Sequence, residues 1–184
     1  LFVDGYEQKD LRNLTAKLSL TPTANHDFSV EATRTQDSRQ GLMGRSAAST
    51  GCRGGCTDSF NDHNRESFAL THTGRWAIGT SDTYIQQEKA ENESREMTIT
   101  NTNAKTALVM PMGNHMVTVG ADFTEEKLDD KTSNRISDRT NIESSKYALF
   151  AEDEWMLTDT FSVTAGARMD DDENFGTHVS PRLY

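Results

Sequence analysis

The sequence predicts an all-β chain, an antiparallel up-and-down transmembrane β-barrel segment of about eight to nine strands belonging to a larger barrel. Three observations lead there: repeated segments of strict apolar/polar alternation, charges on the polar parity of those segments, and tight turns grouped at one end with long polar connections at the other. Segment 161–170 states the first two most clearly. Phe161, Val163, Ala165, Ala167 and Met169 share one parity, while Ser162, Thr164, Gly166, Arg168 and Asp170 share the other. Period two marks a strand with two unlike faces. Because Arg168 and Asp170 stand on the polar face, that face looks to water or to a hydrated lumen and the other needs oil or a packed core.

The remaining elements follow the same logic. In 11–20, Leu14, Ala16, Leu18 and Leu20 oppose Thr15, Lys17 and Ser19, and Thr21-Pro22-Thr23-Ala24-Asn25 makes a turn. In 26–36, Phe28, Val30 and Ala32 oppose Ser29, Glu31 and Thr33. Residues 37–65 show neither period and read as a long connection rich in Gly, Ser and Arg. Alternation resumes in 66–76 through Phe68, Leu70 and Trp76, turns at Ala77-Ile78-Gly79 and returns along 80–92. Segment 95–110 is a weaker, Thr- and Asn-rich strand whose turn is read at Pro111-Met112-Gly113-Asn114. In 115–128, Val117, Val119, Ala121 and Phe123 oppose Thr118, Gly120, Asp122 and Thr124. A second polar loop is expected at 129–141, before the last strands of 147–184. Trp76 and Trp155 lie beside tight turns, and Tyr6, Phe68 and Tyr147 toward the long loops, as two interfacial girdles would require.

Composition bounds the function. The 184 residues are 34% hydrophobic and carry a net charge of −10, with a mean hydropathy of −0.73. No run approaches the ~18 apolar residues of a spanning helix. A barrel wall survives that test, because only alternate residues meet lipid. The acidic balance argues against nucleic acid, which needs a basic stripe to displace counterions.

Candidate chemistry is sparse. Cys52 and Cys56, the two cysteines, sit in C-R-G-G-C within a polar loop and suit a small disulfide ring in an oxidising compartment. A metal site completed by His63 and a carboxylate falls short of the four ligands of a structural zinc. The run Asp170-Asp171-Asp172-Glu173 has oxygen ligands for calcium but not the spacing or turn glycine of an EF-hand, and reads as a solvated strand end. The histidines share no short spacing, and neither a G-x-S-x-G elbow nor a phosphate loop occurs. No enzyme, metal or cofactor is expected.

Several segments carry a family resemblance. Phe150-Ala151-Glu152-Asp153-Glu154-Trp155, Gly166-Ala167-Arg168-Met169-Asp170, Phe175-Gly176 and Ser180-Pro181-Arg182 resemble a run shared by TonB-dependent outer-membrane receptors. Asn25-His26-Asp27-Phe28, and Gly74-Arg75-Trp76 with Gly79-Thr80-Ser81, resemble the catecholate-siderophore branch, near the colicin I receptor and the iron-regulated virulence receptors. The resemblance implies a multi-pass outer-membrane importer of a Gram-negative cell, a barrel of about 22 strands enclosing a plug. Such an importer binds a ferric siderophore and is energised through TonB. Residues 1–184 would then be a partial barrel domain, with the plug, its TonB contact and the remaining strands elsewhere. Bacteriocins or phage are further partners that such loops imply.

A ferric catecholate is an anion, so the resemblance directs attention to Arg39, Arg45, Arg53 and Arg65 in the cysteine-bearing loop as its ligands. The plainer reading pairs them with Asp37, Asp58 and Asp62 as ordinary solvated charges. Two other classes share part of the pattern: a porin-type passive channel has the same wall, and a secreted β-sandwich binding module has alternating strands. The strands here run near ten residues, which suits a tilted membrane crossing better than a soluble sheet.

Overall fold

The computed structural model describes residues 6–42, 59–131 and 140–184. Nine strands account for most of them: β1 (Tyr6–Thr23), β2 (His26–Leu42), β3 (Ser59–Trp76), β4 (Gly79–Asn92), β5 (Met97–Met112), β6 (His115–Asp130), β7 (Asn141–Thr158), β8 (Phe161–Asp172) and β9 (Gly176–Leu183). They form one sheet in chain order, each strand antiparallel to the next, with β1 and β9 as its edges. This is the up-and-down arrangement that the alternation predicts. A β-sandwich needs a second sheet packed on the first, and the nine strands make one.

Register carries the faces from strand to strand. Leu18 pairs with Val30, Val30 with Leu70, Leu70 with Ile85, Ile85 with Ala104, Ala104 with Phe123 and Phe123 with Tyr147. Directly opposed residues share a face, so the apolar parities of seven strands add into one surface. That surface is bare. Leu18 is 58% exposed and Val119 36%, and Val163 is half-buried. Among the described residues Gly74, Ala148 and Thr164 are buried; Gly74 lies under the Trp76 ring, and the two that carry side chains, Ala148 and Thr164, lie on the opposite face. A soluble chain of this length buries a sizeable apolar core; here the greasy residues point outward and the polar ones are the more sheltered. With no second layer over either face among the described residues, the difference in shelter means that the polar side is the concave one.

Turn chemistry sets the two ends. The links 24–25, 77–78, 113–114 and 159–160 are two residues each and lie at one end. Gly113, with φ 64°, supplies the left-handed conformation that the β5–β6 turn requires. Pro111 belongs to β5 rather than to the turn, opposite Met116. The Met112–His115 pair closes a two-residue turn, so Pro111 occupies a non-hydrogen-bonded site and its missing N–H faces the side where β4 has already ended at Gly79.

Other expectations are corrected at the far end. β2 continues to Leu42 and β3 begins at Ser59, so the two ends of the aperiodic stretch, 37–42 and 59–65, are strand. Outside the membrane both faces of a strand meet water, and the alternation that reveals a strand is lost. Likewise β6 reaches Asp130 and β7 starts at Asn141. Connection lengths alternate as expected, but two of the connections at this end are short rather than long. β4 and β5 join through a single 3₁₀ turn, Glu93–Arg95, closed by Glu96 at φ 52°, and β8 and β9 through residues 173–175. Long links at this end are therefore confined to 43–58 and the neighbourhood of 131–140.

Aromatic rings mark two levels of the outward face. At the tight-turn end His26, Phe28, His72 and Trp76 cluster, with Phe28 and His72 centroids 4.4 Å apart and His26 and Trp76 5.0 Å apart. His115 stacks on Trp155 nearby in the β6–β7 ladder. At the other level Phe123 lies 4.8 Å from Tyr147, and Phe68 is exposed; the Tyr6 ring lies outside the described side chains. Eight residues separate Tyr147 from Trp155, about 26 Å along a strand and roughly 20 Å across a bilayer at barrel tilt.

Candidate functional site

Polar chemistry collects on the concave face where β5 to β9 meet. Lys105, Asp122, Ala148 and Asp170 occupy one row, and Gly120, Phe150, Arg168 and Ser180 the next. The planar fork of Arg168 joins the rows. Its Nη1 donates to Asp122, and its Nε donates to both oxygens of Asp170 at 3.0 and 3.1 Å. Lys146 Nζ adds a third cation, 3.3 Å from Asp170 Oδ1. Two carboxylates are thus held among three cations that include Lys105, in a chain whose overall charge is strongly negative.

Packing explains why the cluster sits there. A Cβ on Gly120 would stand 2.3 Å from Phe150 Cζ, so the missing side chain is what lets the Phe150 ring lie across β6. That ring is the floor for two cations. Lys105 Nζ is 5.6 Å and Arg168 Cζ 5.9 Å from its centroid, within cation–π range. Beside it Glu152 accepts from Arg182 Nη1 and from the Tyr184 hydroxyl, both at 3.4 Å. Lys105, Phe150, Glu152, Arg168 and Arg182 border a hollow of about 500 Å³. Fixed cations over an aromatic floor can cradle an anionic or flat aromatic group; the cluster contains no nucleophile poised by a base.

The predicted residues divide. Arg168 and Asp170 face the concave side as expected and are brought together. Arg39 and Arg65 lie on that same face, nearer the long-loop end, but each already holds a carboxylate. Arg39 Nη2 donates to Asp37 at 2.8 Å, and Arg65 Nε is 3.6 Å from Glu88. Their rows, Arg39 with Asn61 and Thr35 with Arg65, are four steps apart, roughly 13 Å along the strands. Arg45, Arg53, Cys52 and Cys56 fall outside the described residues. The Arg39 guanidinium beside Asp37 holds that carboxyl below the usual aspartate value of 3.8.

The acidic run at the end of β8 is engaged locally. Asp170 is taken by Arg168 and Lys146, Asp171 accepts from Thr177 at 2.7 Å, and Asp172 accepts from the backbone N–H groups of Asn174 and Phe175. Asp122, Lys146, Lys105 and Phe150 were not singled out by sequence reasoning. Parity already put Asp122 on the face of Arg168; the register that makes them neighbours is not written in any one strand.

Comparison with known proteins places this geometry. The family model described as TonB dependent receptor-like, beta-barrel matches residues 3–184. The iron-regulated outer membrane virulence protein of Vibrio cholerae is 46% identical over 181 residues, covering 98% of this chain and 28% of that protein. A ferric enterobactin receptor of Pseudomonas aeruginosa is 25% identical over 217 residues, covering 98% of this chain and 29% of that one. Among solved structures, the siderophore receptor PirA from P. aeruginosa superposes with a TM-score of 0.75 at 25% identity, over 95% of this chain and 30% of its own. PirA from Acinetobacter baumannii does so at 0.78 and 20% identity, over 98% and 31%, and shows the fold alone. This chain spans about 28% of the length of the V. cholerae relative.

Proposed function

Because this chain belongs to the TonB-dependent receptor family, as part of its β-barrel, we propose that it builds one stretch of the wall of a receptor that imports ferric siderophores of the catecholate type with energy delivered through TonB. The protein is an outer-membrane β-barrel protein of a Gram-negative cell. One observation carries the functional reading: an inside-out sheet, apolar outward and ion-paired inward, that matches an iron-regulated outer-membrane protein at 46% identity over nearly its whole length. The relatives named for ferric enterobactin supply the ligand class.

In this reading the concave cations of β5 to β9 line the passage, and Arg39, Arg45, Arg53 and Arg65 meet the anionic chelate nearer the mouth. Arg39 and Arg65 exchange their carboxylates for it. Cys52 and Cys56 close a disulfide ring in the loop that carries Arg45 and Arg53. The plug, the TonB contact and any use of the loops by bacteriocins or phage belong to the whole receptor, of which 1–184 is a partial barrel domain.

Growth under iron restriction tests the reading. A strain deleted for the gene should lose use of a supplied ferric catecholate, keep use of a ferric hydroxamate, and regain the first on complementation. Unchanged catecholate use would overturn it. Uptake that persists in a strain lacking TonB would return the porin.

A further inference from the structure

The outward parity of β7 runs Tyr147, Leu149, Ala151, Asp153, Trp155, and Asp153 breaks it. Its neighbours across the ladder are Val117 on β6 and Ala165 on β8. Over residues 14–20, 28–32, 68–76, 81–87, 102–112, 115–123, 147–155, 161–169 and 177–183, no other Asp, Glu, Lys or Arg holds outward parity. An isolated charge on a bilayer-facing surface is costly and needs a stated purpose.

The surroundings of Asp153 suggest one. His115 Nδ1 lies 2.8 Å from Asp153 Oδ2, and the His115 ring stacks on Trp155 with centroids 5.5 Å apart and planes 11° apart. The carboxylate's other oxygen, Oδ1, is sheltered and has no hydrogen-bond partner among the described residues. An ionised carboxylate accepts at about four lone-pair sites, and rotation about its terminal torsion exchanges the two oxygens easily. Acceptor capacity is therefore left over, on a side chain still 42% exposed. His115 is the first residue of β6, next to the Gly113-Asn114 turn, and Trp155 belongs to the girdle of that end. The group stands at headgroup level, where the available donors are water and lipid.

We propose that Asp153, oriented by His115 and flanked by Trp155, is a headgroup site for a phospholipid bearing a primary ammonium, in the leaflet on the tight-turn side. The ammonium donates to the Asp153 carboxylate and the first acyl carbons lie against Val117 and Ala165. A primary ammonium has the N–H groups that the carboxylate lacks; a trimethylammonium has none, and an anionic headgroup is repelled. The proposal rests on the outward face meeting lipid.

Native mass spectrometry of the intact receptor, exchanged in detergent against equimolar phosphatidylethanolamine, phosphatidylcholine and phosphatidylglycerol, tests it. Phosphatidylethanolamine should be retained over the other two, and Asp153→Asn should reduce that retention about tenfold, as expected for one charge-assisted hydrogen bond. Asp153→Ser should act alike, and Asp171→Asn, an outward acid at the other end of the sheet, should change nothing. Equal retention of the three lipids, or retention indifferent to both Asp153 variants, would overturn the headgroup site while leaving the membrane reading in place. Loss of a concentration-dependent dimer in place of loss of lipid would make Asp153 a protein contact instead. A wild-type receptor that fails to enter vesicles in a heat-modifiable form would remove the membrane reading and this site together.

Discussion

Arg168 shows what one side chain does in a hydrated wall. Its fork binds two carboxylates on strands two apart, which point charges of the same sign could not share with that geometry. Nearer the rim the cations are more exposed, but the Arg39–Asp37 pair is as close, at 2.8 Å. Asp37 has a defined pH response: Arg39, and then Lys9, favour its ionised form, so its folded pKa is lowered. A depressed carboxyl contributes fully above its unfolded value and loses that contribution as pH falls through the folded one. The Asp37 contacts should therefore persist at neutral pH and break only below the usual 3.8. The side-chain carbonyl shift of Asp37 in a detergent-solubilised sample, titrated downward, should move below that value; a midpoint above it would contradict the pairing.

Strands and turns are the scale at which the chain was most readable. Each apolar parity, from Leu14–Leu20 in β1 to Phe161–Met169 in β8, was visible because one face is obliged to be greasy and the other is not. Strand ends were hidden for the complementary reason: from Gln36 to Gln40 and from Asn61 to Arg65 both faces are polar, and period two has no contrast to show. Gly120 illustrates an element-level constraint that no parity reveals. An added Cβ would lie 2.3 Å from Phe150 Cζ and 2.5 Å from the Thr106 carbonyl oxygen. Gly120→Ala should destabilise the barrel by about 1–3 kcal/mol, read from urea unfolding in vesicles. Adding Phe150→Leu should restore only part of the loss, because the Thr106 carbonyl is backbone and remains.

For the whole molecule the decisive property is which face is sheltered. Cysteine scanning of β8, in a receptor with Cys52→Ser and Cys56→Ser, measures it directly. Ser162→Cys, Arg168→Cys and Asp170→Cys should react with a membrane-impermeant maleimide, whereas Val163→Cys, Ala165→Cys and Ala167→Cys in liposomes should react at least about tenfold more slowly, since lipid excludes the reagent. Uniform reactivity along β8 would mean that no bilayer covers the outward face. The same inversion accounts for a composition that looks soluble: at 34% hydrophobic the chain has enough greasy residues for one surface of a wall and too few for an interior.

Alternation alone determined the strands, their two unlike faces and the placement of Arg168 and Asp170 on the wet one, because a side chain's direction in a strand is a local property with period two. Register and curvature decided the rest. Which residues meet across strands depends on how each ladder is staggered, so the Arg168 bridge from Asp122 to Asp170, the Phe150 ring lodged over Gly120 and the separation of Arg39 from Arg65 came only with the assembled sheet. Curvature then settled which face is sheltered, a matter of how nine strands bend together and of nothing written in any one of them.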